Sequence, residues 1–561
     1  MPWIILFVKY LMQNTYVPHA HGSNHPIYRS VFSWCIIGVH KMYRKADTMA
    51  LFSGVERTFA ETLINLGYGN PFLPERIEYE RLILGKDFVA TDGAWHKHVE
   101  EEAERPNIEL LTQRAKALAD GARERLVVGR RPAEAERALY EDTVLYYLFN
   151  KYTQAFFEYV VDAEQGKATE STLAGLYNRF QEDVTHYLGI PGATFALGET
   201  GHMFACFFQL RRAWHHIYDN IIGGSNASAR LRAAVWQSIF TCDMRRYRRT
   251  LYSRMGDITT LITGPSGTGK ELVARAIGMS RYIPFDPKAK RFATDVAHCF
   301  YPINLSALSP TLIESELFGH KKGAFTGAVT DRTGFFELCP ADGAVFLDEI
   351  GELDPAIQVK LLRVLQTRVF QRIGDTTDRR FEGKVVAATN RDPAKEMRAG
   401  RFREDLYYRL CSDIIVTPPL KEQLEGSPEQ LYNLLLFITR RVAGTEEAEA
   451  LAEEVARWLR ENLDPDYAWP GNVRELEQCV RNIMIRKTYQ PLKAHASKPH
   501  EVFLDAVQAR SLTIDELVRQ YCTLVYAETG SYLEASRRLN LDRRTVKDRI
   551  DRDFLESLRG L

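Results

Sequence analysis

Two groups of residues in this chain have the types and spacing to handle a phosphate. The first is Gly264–Glu271, which reads GPSGTGKE. An apolar run, Thr259–Thr263, leads into Gly264, and a helical pattern, Leu272–Ile277, follows. Gly264, Gly267 and Gly269 let the backbone turn tightly and aim N–H groups at an anion, with Pro265, Ser266 and Thr268 filling the loop between them. The helix start adds the positive end of its dipole, and Lys270 adds a charge for the terminal phosphates. A P-loop lysine is usually followed by Ser or Thr, but Glu271 stands here. The second group is Asp348-Glu349, at the end of the apolar run Ala344–Leu347. In that place Asp348 suits Mg²⁺, and Glu349 can orient and polarise an attacking water. Without the usual hydroxyl, the metal leans on Asp348, phosphates and water. A nucleotide held by the first group would be hydrolysed at the second.

Hydrolysis also needs positive charge on the developing phosphoryl oxygens. Arg403 and Arg409, in RFREDLYYRL, are candidates; surface ion pairs with Glu404 or Asp405 are the competing reading. One further segment, Gly323–Ala328, reads GAFTGA. Its two glycines argue for a loop rather than a continuous helix. Phe325 and Thr326 at its tip suit insertion into a partner, and a turn with Phe325 buried in the core is the alternative.

These groups have to be positioned by a fold. Between 259 and about 420 strands and helices alternate, which predicts a mainly parallel sheet. Tyr301–Asn304, Ala344–Leu347 and Lys384–Ala388, the last ending in Thr389-Asn390, read as further strands. Residues 426–489 turn helical, with Trp469-Pro470-Gly471-Asn472 breaking into a new helix at Val473. Residues 490–510 carry Pro and His and read as a connector. Residues 511–561 hold three helical stretches, about 513–528, 531–539 and 543–551. The last two form a helix-turn-helix candidate with Asp542 as N-cap. Arg537, Arg538, Arg543, Arg544, Lys547 and Arg549 lie there against Asp542 and Asp548, a local net charge of +4, and Thr545 sits among them. Such a focused charge suits double-stranded DNA, with a helical dimerisation module as the alternative. The chain's formal net charge is zero, so any nucleic-acid surface has to be local.

Residues 49–228 read as mostly helical. Leu173, Leu176, Tyr177, Phe180, Val184, Tyr187 and Leu188 follow the spacing of one apolar helix face. The aromatics of Tyr140–Val161 suit a packed helical core better than a ligand pocket. His202, His215, His216 and Cys206 could suggest a metal, but adjacent histidines on a helix point apart, which argues against a shared ion. No alternating βα series opens the chain, so no receiver domain is expected. Gly223–Ser228 reads as a linker or loop. Cys242–Arg254 carries five arginines, suited to a solvated face, a subunit contact or the edge of the nucleotide site. Residues 1–48 read as a poorly ordered extension, with a weak interfacial anchor as the alternative; their apolar run Trp3–Val8 is too short to span a bilayer. The eight cysteines form no C-x-x-C pair, so neither zinc site nor disulfide framework is indicated, in keeping with a reducing cytoplasm. The expected order is an extension (1–48), a helical regulatory domain (49–228), an α/β domain (229–425), a helical lid (426–489), a linker (490–510) and a helix-turn-helix domain (511–561).

Taken together, ELFGH-KKGAFTGA, GPSGTGKE before it, FLDEIGEL after it and WPGNVREL further on resemble the bacterial enhancer-binding proteins. These are AAA+ ATPases that activate RNA polymerase carrying sigma-54. The resemblance covers about 235–489 strongly and extends to 511–551, which is similar to the family's Fis-type DNA-binding domain. It implies ATP and Mg²⁺ as ligands and a homo-oligomeric ring, a hexamer. Its partners would be sigma-54 RNA polymerase holoenzyme and DNA upstream of promoters, with no membrane. Gly264–Lys270 would be Walker A, with Glu271 the family's usual next residue, and Asp348 and Glu349 would be Walker B. Asn304 would restrain the catalytic glutamate, Thr389 and Asn390 would be sensor I, and Arg474 sensor II. Arg403 and Arg409 would be arginine fingers acting on a neighbour's site. Gly323, Ala324, Phe325, Thr326, Gly327 and Ala328 would engage sigma-54. Pro265 in place of Glu, a longer Phe285–His298, and Pro418–Gln423 in place of P-P-L-R-x-R depart from the family pattern. So does the absence of a recognisable glycine-containing entry ahead of the P-loop strand, at 235–258. Another AAA+ remodeller, or a DNA-binding regulator without productive ATPase, are the rival functions.

Overall fold

The computed structural model describes residues 50–90, 106–191, 195–424, 428–464, 467–491 and 499–559; the expected extension, 1–48, lies outside them. Six long helices form the first layer: Gly54–Tyr68, Glu75–Leu84, Pro106–Val127, Glu134–Glu164, Glu170–Leu188 and Thr200–Asn220. Their starts follow from local chemistry. Ser53 and Glu56 close a capping box on the first, and Thr169 caps the fifth. The face expected on the fifth helix is the face buried: Leu173, Leu176, Tyr177, Phe180, Val184, Tyr187 and Leu188. The aromatics of the fourth helix fill a core. Phe156 meets Phe204 and Phe208 edge-on, at centroid separations of 5.3 and 5.9 Å.

The second layer is a five-stranded parallel sheet. Its strands are β1 (Thr260–Thr263), β4 (Phe300–Asn304), β5 (Ala344–Asp348), β8 (Lys384–Thr389) and β9 (Asp413–Val416), in the order β4-β5-β8-β1-β9. All of β8 is buried, as a strand covered on both faces must be, and its run of Val and Ala residues reflects that. Two short hairpins, β2–β3 (Phe285–Asp286 with Arg291–Phe292) and β6–β7 (Val369–Phe370 with Arg379–Arg380), stand off the sheet. The four strands read from sequence are all present; β9 was not singled out there.

The boundary expected near 228 is crossed by two hydrophobic cores. Phe72, Ala213 and Ile217 of the helical layer share one core with Ile262, Val273 and Ile277 of the α/β region. Gly223–Ser228 is a loop, but not a loose one. Ser225 caps helix Asn226–Phe240, and buried Arg232 donates to the carbonyls of Ile221 and Gly223. The lengthened stretch after Phe285 makes the second crossing. Its hairpin places Phe285 4.7 Å from the rings of both Tyr177 and Phe204, and Phe292 4.6 Å from Phe208. Arg212, only 1% exposed, donates to the carbonyls of Val296 and Arg281. The arginine-rich segment 242–254 also ties the layers, since Arg245 pairs with Asp142 at 2.9 Å and lies over Tyr68.

The histidines fall into two places. His202 bonds the Tyr282 hydroxyl and the Arg248 carbonyl, with Cys206 beside it. His215 and His216, expected to point apart, converge on Glu164 of another helix. Sequence adjacency fixes the angle between two side chains at the backbone; different ring nitrogens can still meet one carboxylate.

Helices Pro428–Ala443, Ala448–Asn462 and Asn472–Arg486 form a small bundle around Leu435, Val455, Leu476 and Ile483. At the C-terminal end, Ile514–Thr529, Tyr532–Leu539, Arg543–Asp548 and Arg552–Arg559 are helical. Asp542 caps the third of these through the Arg544 N–H, and that helix stops at Asp548, short of the expected 551.

The hairpin contact yields a direct expectation. Phe285, 6% exposed, leaves a cavity between the layers when truncated. Phe285→Ala should cost about 3–5 kcal/mol, read as a lower thermal midpoint of the full chain together with faster proteolysis within 285–298.

Candidate nucleotide-hydrolysis site

The glycine-rich loop leaves the end of β1 and enters helix Lys270–Gly278. Two of its glycines are required by close approach. A Cβ on Gly264 (φ 148°) would lie 2.2 Å from Thr417 Oγ1, and one on Gly267 (φ 77°) 2.3 Å from the Gly471 carbonyl oxygen. The loop is thus clamped from both sides. On one side the Thr268 and Thr417 hydroxyls lie 2.7 Å apart, with Thr417 following β9. On the other, the Val473 N–H donates to the Gly267 carbonyl at 3.0 Å, Asn472 Nδ2 to the Ser266 carbonyl at 2.9 Å, and Arg474 Nη1 to Ser266 Oγ at 3.2 Å.

Lys270 is 7% exposed and donates to the carbonyls of Gly264 and Pro265, both at 3.1 Å. Burial pulls its pKa down, while Glu349 and Asp348 pull it up. Burial raises the Asp348 carboxyl, opposed by the Glu349 N–H and Lys270. One β-strand, β8, separates β1 from β5, and Asp348 ends β5, so the lysine and the acid face each other across the strand ends. Glu349 has φ 56° and ψ 49°, a left-handed backbone uncommon outside glycine. Its Oε2 accepts from the Asn390 N–H at 3.2 Å. Thr389 is buried and its hydroxyl accepts from the Arg391 N–H.

Asn304 sits opposite Asp348 in the β4–β5 register, yet its side chain turns to Ser306, accepting from that residue's N–H and hydroxyl. Among the described residues Asn304 makes no hydrogen bond to Glu349; the Asn390 backbone does. Arg403 forms a two-pronged pair with Asp405, at 3.0 and 2.7 Å, on an open groove with Glu404 and Tyr408. The surface pair foreseen for it is therefore the arrangement within one chain. Arg409 is exposed on the same helix, Glu404–Leu410. Neither arginine forms a hydrogen bond or ion pair with Asp348 or Glu349 among the described residues.

The 323–328 segment is a closed loop. The Gly323 N–H donates to the Ala328 carbonyl, and the Ala328 N–H to that of Phe325. Gly323 and Gly327 both have positive φ, at 82° and 99°. Phe325 is half-buried, edge-on to His320 at 4.9 Å, while Thr326 is exposed. The core position considered for Phe325 is not reached.

In the C-terminal helices, Arg537, Arg538 and Arg549 pair with Glu534, Glu528 and Asp515. Thr545 bonds Asp542. Arg543, Arg544 and Lys547 are exposed and enter no ion pair among the described residues, so they carry the unneutralised charge.

Thr417 and Asn472 were not foreseen as site residues. Asn472 lay in a visible turn, WPGN; nothing in the sequence marks Thr417.

A parallel sheet with a glycine-rich loop at one strand end and an acidic pair at another defines a P-loop core of the AAA+ type. Residues 242–415 match the family described as the sigma-54 interaction domain. Over 225 residues the chain is 45% identical to the Nif-specific regulatory protein of Klebsiella pneumoniae, covering 40% of this chain and 39% of that one. It is 38% identical over 292 residues to the regulatory protein LuxO of Vibrio parahaemolyticus, covering 50% and 59%. The chain thus spans less than two thirds of the length of these relatives. The solved structure of NtrX from Brucella abortus with ATP is 21% identical, covering 67% of this chain and 79% of that one, at a TM-score of 0.36, too distant to carry an argument. No described helix is long and apolar enough to cross a membrane.

The clamp on the loop can be tested directly. Gly267→Ala adds a Cβ in a strained backbone against the Gly471 carbonyl. It should cost about 1–3 kcal/mol and raise hydrogen exchange at 471–474 relative to the rest of the 428–491 bundle.

Proposed function

We propose that this chain is an ATP-driven transcription activator that remodels RNA polymerase carrying sigma-54. The observation that carries this reading is the sigma-54 interaction domain match, whose span includes both the phosphate loop and the exposed 323–328 loop. ATP is the fuel. The loop N–H groups and Lys270 bind its phosphates, and Arg474 adds charge from the bundle side of the loop. Asp348 and nearby Glu271 are hard oxygen donors that suit Mg²⁺, which would supply charge neutralisation at the phosphates. Glu349 orients the attacking water, with its carboxylate held by the Asn390 N–H. Asn304 stands close enough in register to take over that restraint once Ser306 releases it.

The chains assemble into a ring, in which Arg403 leaves Asp405 and, with Arg409, completes a neighbour's site. Such an arginine contributes roughly 10³–10⁵ in rate. Hydrolysis drives Phe325 and Thr326 against sigma-54. Arg543, Arg544 and Lys547 lead the contact with upstream DNA, with Arg537, Arg538, Thr545 and Arg549 at its edges. The protein works in the cytoplasm.

The test separates fuel from work. Thr326→Ala, at an exposed tip, should keep ATPase activity and lose sigma-54-dependent promoter opening; retained opening removes the loop from the mechanism. Arg403→Ala should bind ATP normally and hydrolyse it at least about 10³-fold more slowly. Adding a Lys270→Ala chain, whose own arginines are intact, should restore part of the rate in mixed rings; no recovery at any ratio rules out action on a neighbour.

A further inference from the structure

Helix Glu134–Glu164 ends on a carboxylate that meets two adjacent histidines of helix Thr200–Asn220. His215 Nε2 lies 3.2 Å from Glu164 Oε2, and His216 Nδ1 lies 3.6 Å from Glu164 Oε1. One donor atom from each of the three falls within 4.8 Å of the others. Neighbouring ligands on a tetrahedral zinc with ordinary Zn–N and Zn–O bonds are separated by roughly 3.3 Å, and each histidine lies near that distance from one of the two Glu164 oxygens. On the far side of His215, Nδ1 faces Asp219 Oδ2 at 2.7 Å. A carboxylate behind an imidazole fixes its tautomer and leaves Nε2 as the metal-binding atom.

Glu164, His215 and Asp219 alone could be a simple ion-pair chain. His216 is what that reading leaves unexplained. It is 3% exposed, and its Nδ1, the nitrogen that faces Glu164, stands 3.6 Å from Oε1, beyond hydrogen-bond reach; Nε2, on the far side of the ring, would keep the proton. Buried polar groups are nearly always bonded. Arg212 and Arg275 oppose a cation here; one carboxylate in the cluster and one behind it supply the opposite charge.

We propose that Glu164, His215 and His216 bind a divalent transition metal of the zinc class, with Asp219 orienting His215 and a fourth position open to water. Two imidazoles and one carboxylate suit zinc; calcium and magnesium prefer oxygen alone, and no thiolate is present to favour a softer ion. The ion joins the ends of two helices in the layer that packs on the P-loop helix Lys270–Gly278, since helix Thr200–Asn220 lies directly against it.

The experiment uses the full chain, stripped with chelator, incubated with zinc chloride, desalted and measured by elemental mass spectrometry. About one zinc per chain is expected in the unmodified protein, with a rise in thermal midpoint on zinc addition. Glu164→Gln, at a partly exposed residue, should fold normally and lose both the retained zinc and the shift. His216→Phe should do the same while keeping the buried volume. With cobalt(II) in place of zinc, a visible band of tetrahedral intensity should appear in the unmodified chain alone. Equal zinc retention in the unmodified chain and in Glu164→Gln overturns the proposal, as does the absence of retained zinc from the unmodified chain.

Discussion

The contact on which the site depends is the seating of Gly264–Lys270 between Thr417 at the sheet edge and Gly471–Arg474 at the start of a helix in the bundle. Both approaches are closer than any side chain allows, so glycine is a steric requirement here as well as a conformational one. The arrangement makes the loop a hinge pin. A change in bundle position has to pass through the Gly267 carbonyl and Ser266, which are bonded to Val473, Asn472 and Arg474. The same residues belong to the loop proposed to hold the nucleotide, so on that reading nucleotide state and bundle position are mechanically joined.

The second constraint is the shared core behind the sheet. The hairpin Phe285–Phe292 inserts two rings into an aromatic cluster made by Tyr177, Phe204 and Phe208. Arg212 then satisfies main-chain carbonyls that the insertion buries. A helical layer built this way is not a tethered accessory. Any signal it receives reaches the P-loop helix through packed side chains, because Ala213 and Ile217 lie in one core with Val273 and Ile277. Cores of this density respond to small displacements as a unit.

Charge is distributed with a similar division of labour. Deep cations such as Lys384 and Arg281 donate to backbone carbonyls and hold strands and loops in place. Exposed ones such as Arg543, Arg544 and Lys547 have no acidic partner among the described residues and remain available. Arg403 lies between these cases, exposed but occupied by Asp405, a pair whose net worth at a surface is small enough to exchange for a better partner.

The sequence by itself determined the local chemistry. The phosphate loop, the acidic strand end, the apolar face of helix Glu170–Leu188 and the Asp542 cap each arise from residues within a few positions of one another, where spacing fixes geometry. Their order along the chain also sufficed to imply a parallel sheet. Only the tertiary structure decided what depends on distant neighbours. It closed the expected gap near residue 228, because hydrophobic continuity between Phe72 and Ile262 has no sequence period. It turned Asn304 toward Ser306 and gave Glu349 to the Asn390 backbone, a choice between partners that strand register permits but does not make. It brought Thr417 onto the loop and Glu164 onto two histidines thought to diverge, since both meetings join elements that sequence leaves free to lie anywhere.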